Sequence, residues 1–331
     1  MRPFHYEQAA DRAQALKAAA TAGAHYLAGG TTLVDLMKLD VMRPTTVVDI
    51  NALGREHGEI RADPDRLRLG ALARMADVAD HPAVRRDYPV IAQSLDLAAS
   101  PQIRNMASLG GNVLQRTRCP YFRNTTWSAC DKRNPGSGCA ALDGVNRQLA
   151  VLGVSDHCIA NYPGDFAVAL ATLDATVDLE APGGRRVIRF GELHRLPGDT
   201  PHIETNLKPG ELITGFSVPA GPWTRRSLYL KIRDRQSYEF ALASAAVALD
   251  LDGGGVVREA RIGLGGVAAK PWRSPEAEAA LRGRPLTEDT ANAAFEAAFA
   301  RAVVHGELKF KPELGRRTLV RALLQAQAME V

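Results

Sequence analysis

The strongest constraint on the fold lies in the first fifty residues, where short apolar stretches alternate with stretches of helical spacing. A strand is predicted at Phe4 to Tyr6, and an alanine-rich helix from about Gln8 to Ala22. The segments HYLAGG, TTLVDLMKL and TTVVDI then predict a strand ending in two glycines, a helix, and a buried strand. This β-α-β-α-β order predicts one compact α/β unit at the start of the chain.

The rest of the chain changes pattern twice. With 331 residues, of which 46% are apolar, the chain can bury a sizeable core, and we expect two or three domains. Strand-like segments such as LRLGAL first alternate with helices, including one in YPGDFAVALATLDATVDL. Beyond a change of composition at residues 220–226, the sequence predicts an antiparallel meander with a hairpin turn at Gly253 to Gly255, and then a helical C-terminus.

Charge and hydropathy argue against two kinds of partner. The 41 basic and 37 acidic residues give a net charge of only +4, and the basic residues are scattered, so we expect no nucleic acid partner. No run of about 18 apolar residues is present, so we expect no membrane insertion. The N-terminal segment lacks an apolar stretch after its charges, and we therefore expect no secretory signal in this chain.

Two glycine pairs stand where a loop could approach an anion. Gly29 and Gly30 lie between a predicted strand and a predicted helix, and Gly110 and Gly111 follow in SLGGN about eighty residues later. Glycines let the backbone come close to a phosphate, and helix N-termini present unpaired N–H groups. The spacing is not that of a GxGxxG dinucleotide fingerprint. Each pair alone is consistent with a tight turn, and the two together could hold one pyrophosphate.

All four cysteines of the chain fall within forty residues, with the spacing C-x10-C-x8-C-x18-C. The segment around them is rich in Pro, Gly, Asn and Arg and lacks an amphipathic period, which is typical of an irregular insertion. Zinc sites usually contain close C-x2-4-C pairs, and none is present. A metal or cluster, disulfides, and ordinary thiols all remain open from the spacing alone.

Four motifs, in a fixed order, carry a resemblance to a known family. LAGGTTLVDLMK, RPTTVVDINAL, SPQIRNMASLGGNV and RIGLGGVAAKPWR resemble segments of the FAD-binding medium subunits of the molybdenum hydroxylases, the xanthine dehydrogenase and carbon monoxide dehydrogenase family. The cysteine segment is most similar to that of the FAD subunits of periplasmic aldehyde oxidoreductases. The resemblance implies an α+β fold: a two-lobed FAD-binding domain of the vanillyl-alcohol-oxidase type, followed by a CO-dehydrogenase-flavoprotein-like C-terminal domain with a three-stranded antiparallel sheet and helices.

The resemblance also implies the domain limits and the site residues. The FAD-binding domain would span residues 1–222, with lobes at about 1–55 and 56–222 and an iron–sulfur insertion at about 116–160, and the C-terminal domain residues 223–331. The residues implied to bind FAD are Leu27, Ala28, Gly29, Gly30, Thr31, Thr32, Leu33, Val34, Ser108, Gly110, Gly111, Asn112, Asp165, Ile213 and Lys231. Those implied to bind a [4Fe–4S] cluster are Cys119, Cys130, Cys139 and Cys158, with Arg118, Arg123, Lys132 and Arg133 offsetting its charge.

Some of these residues have simpler interpretations. Asp165 precedes a predicted helix and could be its N-cap. Lys231 would by default be a solvated side chain. Tyr238 is a candidate for shielding the flavin from solvent, and the alternative is a tyrosine packed in the core.

By resemblance, the chain is an electron-transfer subunit of a heterotrimeric aldehyde oxidoreductase. A large partner with a molybdenum cofactor would oxidise the aldehyde to a carboxylic acid, and a small partner with two [2Fe–2S] clusters would pass electrons to this chain's FAD and on to an external acceptor. No residue here is expected to catalyse the aldehyde chemistry. Co-export to the periplasm with a signal-bearing partner is expected, with the cytoplasm as the alternative. The alternative functions are a flavin subunit of a 4-hydroxybenzoyl-CoA reductase, a stand-alone flavin oxidoreductase, and a zinc-binding scaffold.

Overall fold

A computed structural model describes all 331 residues, and its first sheet has three parallel strands in the order β1-β3-β2. This confirms the predicted alternation at the N-terminus. The first helix is shorter than predicted, because Asp11 caps it by accepting a hydrogen bond from the Gln14 N–H at 2.9 Å. The elements of this unit are β1 (His5–Gln8), α1 (Arg12–Ala19), β2 (Ala24–Leu27), α2 (Leu33–Lys38) and β3 (Thr46–Asp49).

The second sheet has five antiparallel strands in the order β4-β5-β8-β6-β7. Its strands are β4 (Ile60–Ala62), β5 (Arg66–Gly70), β6 (Thr176–Ala181), β7 (Gly184–Arg189) and β8 (Leu212–Pro219). The last of these strands in the chain lies between β5 and β6, so the sheet is complete only when residues more than 140 positions apart have paired. Such long-range pairing cannot be read from local sequence patterns.

Eight short helices connect and cover these two sheets. They are α3 (Gly54–His57), α4 (Met75–Asp80), α5 (Pro82–Asp87), α6 (Pro89–Asp96), α7 (Pro101–Met106), α8 (Leu109–Val113), α9 (Pro120–Arg123) and α10 (Asp165–Thr172). Four of them begin with proline, whose fixed φ angle suits the first helical turn. Every residue of α10 is buried, so this helix forms the centre of its core.

The C-terminal region contains the predicted antiparallel meander. It comprises β9 (Ser227–Ile232), β10 (Ala243–Leu251), β11 (Val257–Gly265), β12 (Trp272–Arg273), α11 (Pro275–Leu281), α12 (Glu288–Phe299) and α13 (Lys311–Gln327). The predicted three strands are present, and the two-residue β12 adds a fourth at the edge of β11. The hairpin turn between β10 and β11 contains Gly255 with φ +78°, a conformation that glycine adopts without strain. No helix in the structure has the length and apolar character needed to cross a membrane.

The cysteine segment packs on the C-terminal region. Between α9 and α10 the segment has no helix or strand. It has only isolated β-bridges between backbone groups, such as the one that joins Cys130 to Cys139. Its buried side chains, including Phe122 and Ile159, share one apolar core with β10, β11, α12 and α13. A second core lies between the five-stranded sheet and helices α4, α6 and α10, and a small third one lies beside β3. The segment is therefore irregular, as predicted, and anchored by packing. The proposed domain limits stay a prediction.

Candidate cofactor-binding site

The first glycine pair forms a tight connection between β2 and α2. Gly30 has φ +72°, which only glycine adopts without cost. A Cβ atom on Gly29 would lie 2.0 Å from the Met106 carbonyl oxygen, so a side chain has no room there. The loop after β2 is therefore pressed against the segment that joins α7 to α8.

The second glycine pair opens α8 opposite this loop. The Ser108 hydroxyl caps the helix by accepting a hydrogen bond from the Gly111 N–H at 3.2 Å. The Gly110 N–H donates to the Ala71 carbonyl at 2.8 Å, and a Cβ on Gly110 would lie 3.2 Å from that same carbonyl oxygen. Gly29 and Gly110 thus bring backbone close to backbone within the protein. The close approach to an anion that the sequence suggested stays a prediction.

The two loops face each other across a cleft of about 280 Å³. The cleft is lined by ten of the residues predicted to bind FAD, namely Ala28, Gly29, Gly30, Thr31, Thr32, Leu33, Ser108, Gly110, Gly111 and Ile213. Leu27 and Val34 do not line it. Their side chains pack instead beneath Gly30, 3.4 and 3.1 Å from where its Cβ would be. The two loops therefore line one space. That they hold a pyrophosphate stays a prediction.

Several residues of this first cleft were missed by the sequence analysis. Tyr26 donates a hydrogen bond through its hydroxyl to the Gly210 carbonyl at 2.8 Å, which closes one end of the cleft. Glu211 accepts two hydrogen bonds from Arg186, both at 2.7 Å, and these hold the pKa of its carboxyl below the ordinary value. These segments lie about 180 positions apart in the chain, and no local signal connects them.

A second cleft, of about 530 Å³, meets the first at Thr31 and Thr32. Of the predicted residues it contains Asn112, Asp165 and Tyr238. The Asn112 Oδ1 and Arg118 Nη1 atoms are buried at this cleft without any hydrogen-bond partner in the protein. Arg118 Nη1 does lie 3.6 Å from Asp35 Oδ2, an ion-pair contact beyond hydrogen-bond distance. Because buried polar atoms are nearly always hydrogen-bonded, Asn112 Oδ1 and Arg118 Nη1 indicate a place where a bound molecule would supply hydrogen-bond partners.

Asp165 is the centre of a buried polar network behind the second cleft. Lys231 Nζ lies 2.8 Å from Asp165 Oδ2 and donates to the Leu97 carbonyl at 3.0 Å. The Tyr229 hydroxyl donates to Asp165 Oδ1 at 2.7 Å and lies 2.9 Å from the Ser244 hydroxyl. Burial, followed by the charge of Asp165, raises the pKa of Tyr229 well above its ordinary value.

The structure decides between the alternative interpretations of Asp165, Lys231 and Tyr238. Gly164 is the N-cap of α10, and Asp165 is its first residue and makes no capping bond, so the N-cap interpretation is wrong. Lys231 is buried and lines neither cleft, so the default of a solvated side chain is wrong as well. Its direct contact with a flavin stays a prediction. Tyr238 is 55% exposed and lines the second cleft, so it is not a core tyrosine.

The four cysteines line one small enclosed cavity. None forms a disulfide. The structure contains no group of three or more His, Cys, Asp or Glu side chains close enough to hold a single metal ion. A tetrahedral zinc site would bring its sulfurs within about 3.8 Å of one another, as follows from a Zn–S bond of about 2.3 Å. The cavity therefore does not match a mononuclear zinc site.

Backbone N–H groups point at three of the four sulfurs. Cys119 receives them from Phe122 and Tyr121, Cys130 from Arg133 and Lys132, and Cys158 from Ala160. Burial nevertheless raises the pKa of Cys119 to about 12 and that of Cys158 to about 11. Burial therefore favours the neutral thiol form of Cys119 and Cys158, and positive charge beside them would favour the thiolate.

Of the four basic residues expected to offset a cluster's charge, only one lines the cavity. Lys132 does so, and it also contacts Glu204 at 3.7 Å. Arg118 and Arg123 line the second cleft instead, and Arg133 donates to the carbonyls of Tyr121 and Phe122. The side chains of Arg118 and Arg123 turn toward α2, and that of Arg133 turns toward α9. Burial raises the pKa of Cys130, and the charge of Arg133 opposes this effect. The role of these residues in offsetting a cluster's charge stays a prediction.

Two family descriptions and several relatives match this chain. Residues 2–221 match the FAD binding domain in molybdopterin dehydrogenase, and residues 228–331 the CO dehydrogenase flavoprotein C-terminal domain. The aldehyde oxidoreductase FAD-binding subunit PaoB of Escherichia coli K12 is 47% identical over 330 residues, which cover 99% of each chain. The carbon monoxide dehydrogenase medium chain of Hydrogenophaga pseudoflava is 26% identical, covering 98% of this chain and 96% of its own.

A solved structure gives the same result for the fold. A carbon monoxide dehydrogenase from Hydrogenophaga pseudoflava that lacks the Mo-pyranopterin moiety superposes with a TM-score of 0.76 at 25% identity, over 99% of this chain and 98% of that one. The two joined clefts thus belong to a flavoprotein fold, and the predicted fold class is confirmed. The chain belongs to the FAD-binding medium subunits of the molybdenum hydroxylase family, as the sequence resemblance implied. It is a subunit of an oxidoreductase of the group that includes aldehyde oxidoreductases and CO dehydrogenases.

Proposed function

We propose that this chain is the FAD- and [4Fe–4S]-containing electron-transfer subunit of a molybdenum-dependent aldehyde oxidoreductase that converts aldehydes to carboxylic acids. The observation that carries the aldehyde assignment is the 47% identity, over 99% of both chains, to a subunit described as part of an aldehyde oxidoreductase. The relatives described as nicotine or carbon monoxide enzymes are 26–28% identical. The substrate itself would bind to another chain.

The FAD part of the proposal rests on the two joined clefts. The two glycine loops line the first cleft together and would hold the pyrophosphate there. The absence of a Cβ atom at Gly29 and Gly110 allows the loops to pack against the Met106 and Ala71 backbone. The unpartnered Asn112 and Arg118 atoms would face the rest of the cofactor in the second cleft. When bound, the flavin and the cluster supply electron transfer, from the two [2Fe–2S] clusters of a small subunit to an external acceptor.

The cluster part of the proposal rests on the cysteine cavity. A cubane needs four thiolates, each bound to a different iron, so its ligands surround a volume and do not converge on one point. The four cysteines line one cavity, as such an arrangement requires. N–H groups directed at sulfur are a feature that tunes iron–sulfur centres, and they are present at Cys119, Cys130 and Cys158.

The assembly part of the proposal is a heterotrimer. A large molybdenum-cofactor subunit and a small [2Fe–2S] subunit complete it, and the folded complex is exported to the periplasm through a signal on a partner. Cell fractionation of a strain that expresses all three chains, with and without the partner's signal, tests the location. If purification from the native host yields this chain without partner subunits, the result would favour a stand-alone flavin oxidoreductase instead.

Metal and flavin analysis of the purified complex tests the central claim. We expect one FAD per chain, and about four irons and four sulfides beyond those bound by the small subunit. Replacing Cys158 by Ser should remove that additional iron, whereas Ser128→Ala, an exposed change in the same segment, should keep it. Iron content that is the same in wild type and Cys158→Ser would refute the cluster, and a complex without flavin would refute the whole proposal.

A further inference from the structure

Three charged side chains connect the two candidate cofactor sites. Arg123 forms a two-pronged ion pair with Asp35, with Nη1–Oδ2 and Nη2–Oδ1 distances of 2.9 and 3.0 Å. Arg118 approaches the same carboxylate, with Nη1 3.6 Å from Oδ2. All three side chains line the second cleft, and each is 22–39% exposed. We call these three residues the Asp35 triad.

One end of the triad belongs to the glycine loop of the first cleft. Asp35 lies in the first turn of α2, and Thr32 is the residue that precedes this helix. The Thr32 carbonyl accepts from the Leu36 N–H at 3.0 Å, and the Gly30 carbonyl from the Val34 N–H at 3.1 Å. A force on Asp35 is therefore transmitted to the loop predicted to hold the pyrophosphate.

The other end belongs to the cysteine cavity. Arg118 directly precedes Cys119, and Arg123 is the last residue of α9, which follows Cys119. The N–H groups of this helix face the Cys119 sulfur. Arg133 lies three residues after Cys130 and contacts α9 as well, because its Nη1 donates to the Tyr121 and Phe122 carbonyls at 2.6 and 2.8 Å.

We propose that the Asp35 triad couples FAD binding to occupation of the cysteine cavity, so that each site is fully formed only when the other is filled. This inference rests on the proposed function, since it requires a cluster in the cavity. Emptying the cavity would release Cys119 and Cys130, and with them the position of α9. Arg118 and Arg123 would then move as walls of the second cleft, and Asp35 would lose the partners that orient α2.

The balance of charge in the Asp35 triad makes its geometry depend on all three members. Two guanidinium groups beside one carboxylate repel each other, and only Asp35 compensates them. Arg118 has one further contact, with its guanidinium 5.0 Å from the Phe240 ring across the same cleft. Coupling between two sites is reciprocal, so a cluster that strengthens FAD binding must be retained better when FAD is bound.

A four-state comparison on the assembled complex tests the triad. FAD is titrated into deflavinated complex, with the cluster intact or removed by oxidative chelation, and binding is followed by quenching of flavin fluorescence. In wild type we expect cluster removal to weaken FAD binding about tenfold, within the usual range of coupling between sites. In Arg123→Gln and in Asp35→Asn we expect less than about twofold, because the connection is already broken.

Arg85→Gln is the matched control, since Arg85 pairs with Asp80 and Asp96 at 2.9 and 3.1 Å on an exposed helix face and lines neither cleft. It should keep the tenfold effect. A reciprocal measurement follows iron loss to a chelator, which FAD should slow in wild type and in the control but not in the triad variants. Thermal unfolding of each complex establishes that the variant is folded. If Arg123→Gln does not assemble, the measurement on Asp35→Asn alone decides the test.

The outcomes separate the inference from the function on which it rests. Wild-type complex without additional iron would refute the proposed cluster, and the inference with it. If iron is present and its removal leaves FAD affinity unchanged, the sites are independent and the inference is overturned while the function stands. Equal weakening in wild type and in the triad variants would also overturn it, because the coupling would then run through other residues.

Discussion

Replacing Gly29 by alanine is the sharpest test of the first cleft. The new Cβ atom would lie 2.0 Å from the Met106 carbonyl oxygen, 2.7 Å from its carbon and 3.2 Å from the Ala107 Cα. Contacts under 3.0 Å do not occur for real Cβ atoms, so the two backbones must separate by at least 1.0 Å, the difference between 3.0 and 2.0. Arg74 donates a hydrogen bond to the Met106 carbonyl and holds that side in place, so the Gly29 loop must make most of the movement.

The cost of this separation should appear mainly in cofactor binding. Overpacking of a well-packed site costs about 1–3 kcal/mol. Without FAD the loop can relax away from α7, whereas bound FAD would require the close approach of the two glycine loops. If the whole cost falls on binding, the FAD dissociation constant rises about 5- to 150-fold, since about 1.4 kcal/mol corresponds to a factor of ten.

Flavin content and thermal unfolding measure both parts of this prediction. Purified Gly29→Ala should contain less FAD per chain than the wild type. Excess FAD raises the melting temperature of the wild type, and most of this rise should be lost in the variant. Gly54→Ala is the control, because it lies in a helix with φ −58° and a Cβ there meets nothing within 4 Å. Full FAD content in Gly29→Ala, with an unchanged response to added FAD, would show that the loops do not enclose the cofactor as described.

Three further changes test other parts of the structure. Lys231→Met leaves the buried carboxylate of Asp165 without its cation, and should lower the free energy of unfolding measured in urea by about 3–5 kcal/mol. The double variant Asp165→Asn/Lys231→Met should lose less, because no unpaired charge remains buried. Hydrogen bonds from Arg186 hold the pKa of Glu211 below its ordinary value of 4.5. The contribution of Glu211 to the free energy of unfolding is therefore complete above pH 4.5 and is lost as the pH falls through the lower pKa of the folded state. Glu211→Gln should make the free energy of unfolding depend less on pH across this acid range. Tyr238→Ala should open the second cleft and speed reaction of the reduced complex with oxygen and dyes severalfold, and unchanged rates with both acceptors would remove its shielding role.

The sequence was informative where one residue type is the only solution to a steric or chemical requirement. Gly29 and Gly30 were identifiable because no other residue fits a 2.0 Å approach or a φ of +72°. The cysteines were identifiable because the chain has only four, all in one segment. Two of them, Cys130 and Cys139, are brought to the shared cavity by a backbone β-bridge that closes the loop between them.

Other features could not be read from the sequence because they depend on pairing between distant segments. Glu211 and Gly210 enter the first cleft only because β8 lies between β5 and β6, and the five-stranded order is not encoded locally. Lys231 was recognised as important, but family likeness could not show that its side chain lies behind Asp165 and outside the cleft. The two-residue β12 is too short to produce any alternating pattern.

The charges around the two clefts favour holding a cofactor over reacting with a substrate. Each carboxylate that lines them has a cation of its own: Asp35 pairs with Arg123, Asp165 with Lys231, Glu211 with Arg186, and Glu239 with Arg235. A general base must be free to approach the proton that it removes, and these carboxylates are instead held in ion pairs. Hydrogen bonds from Arg186 also hold the pKa of Glu211 below its ordinary value. The same pairs fix the walls against which a flavin would rest. The arrangement is therefore suited to holding a flavin in a fixed position, in agreement with the proposed function, in which bond-breaking chemistry would take place in another subunit.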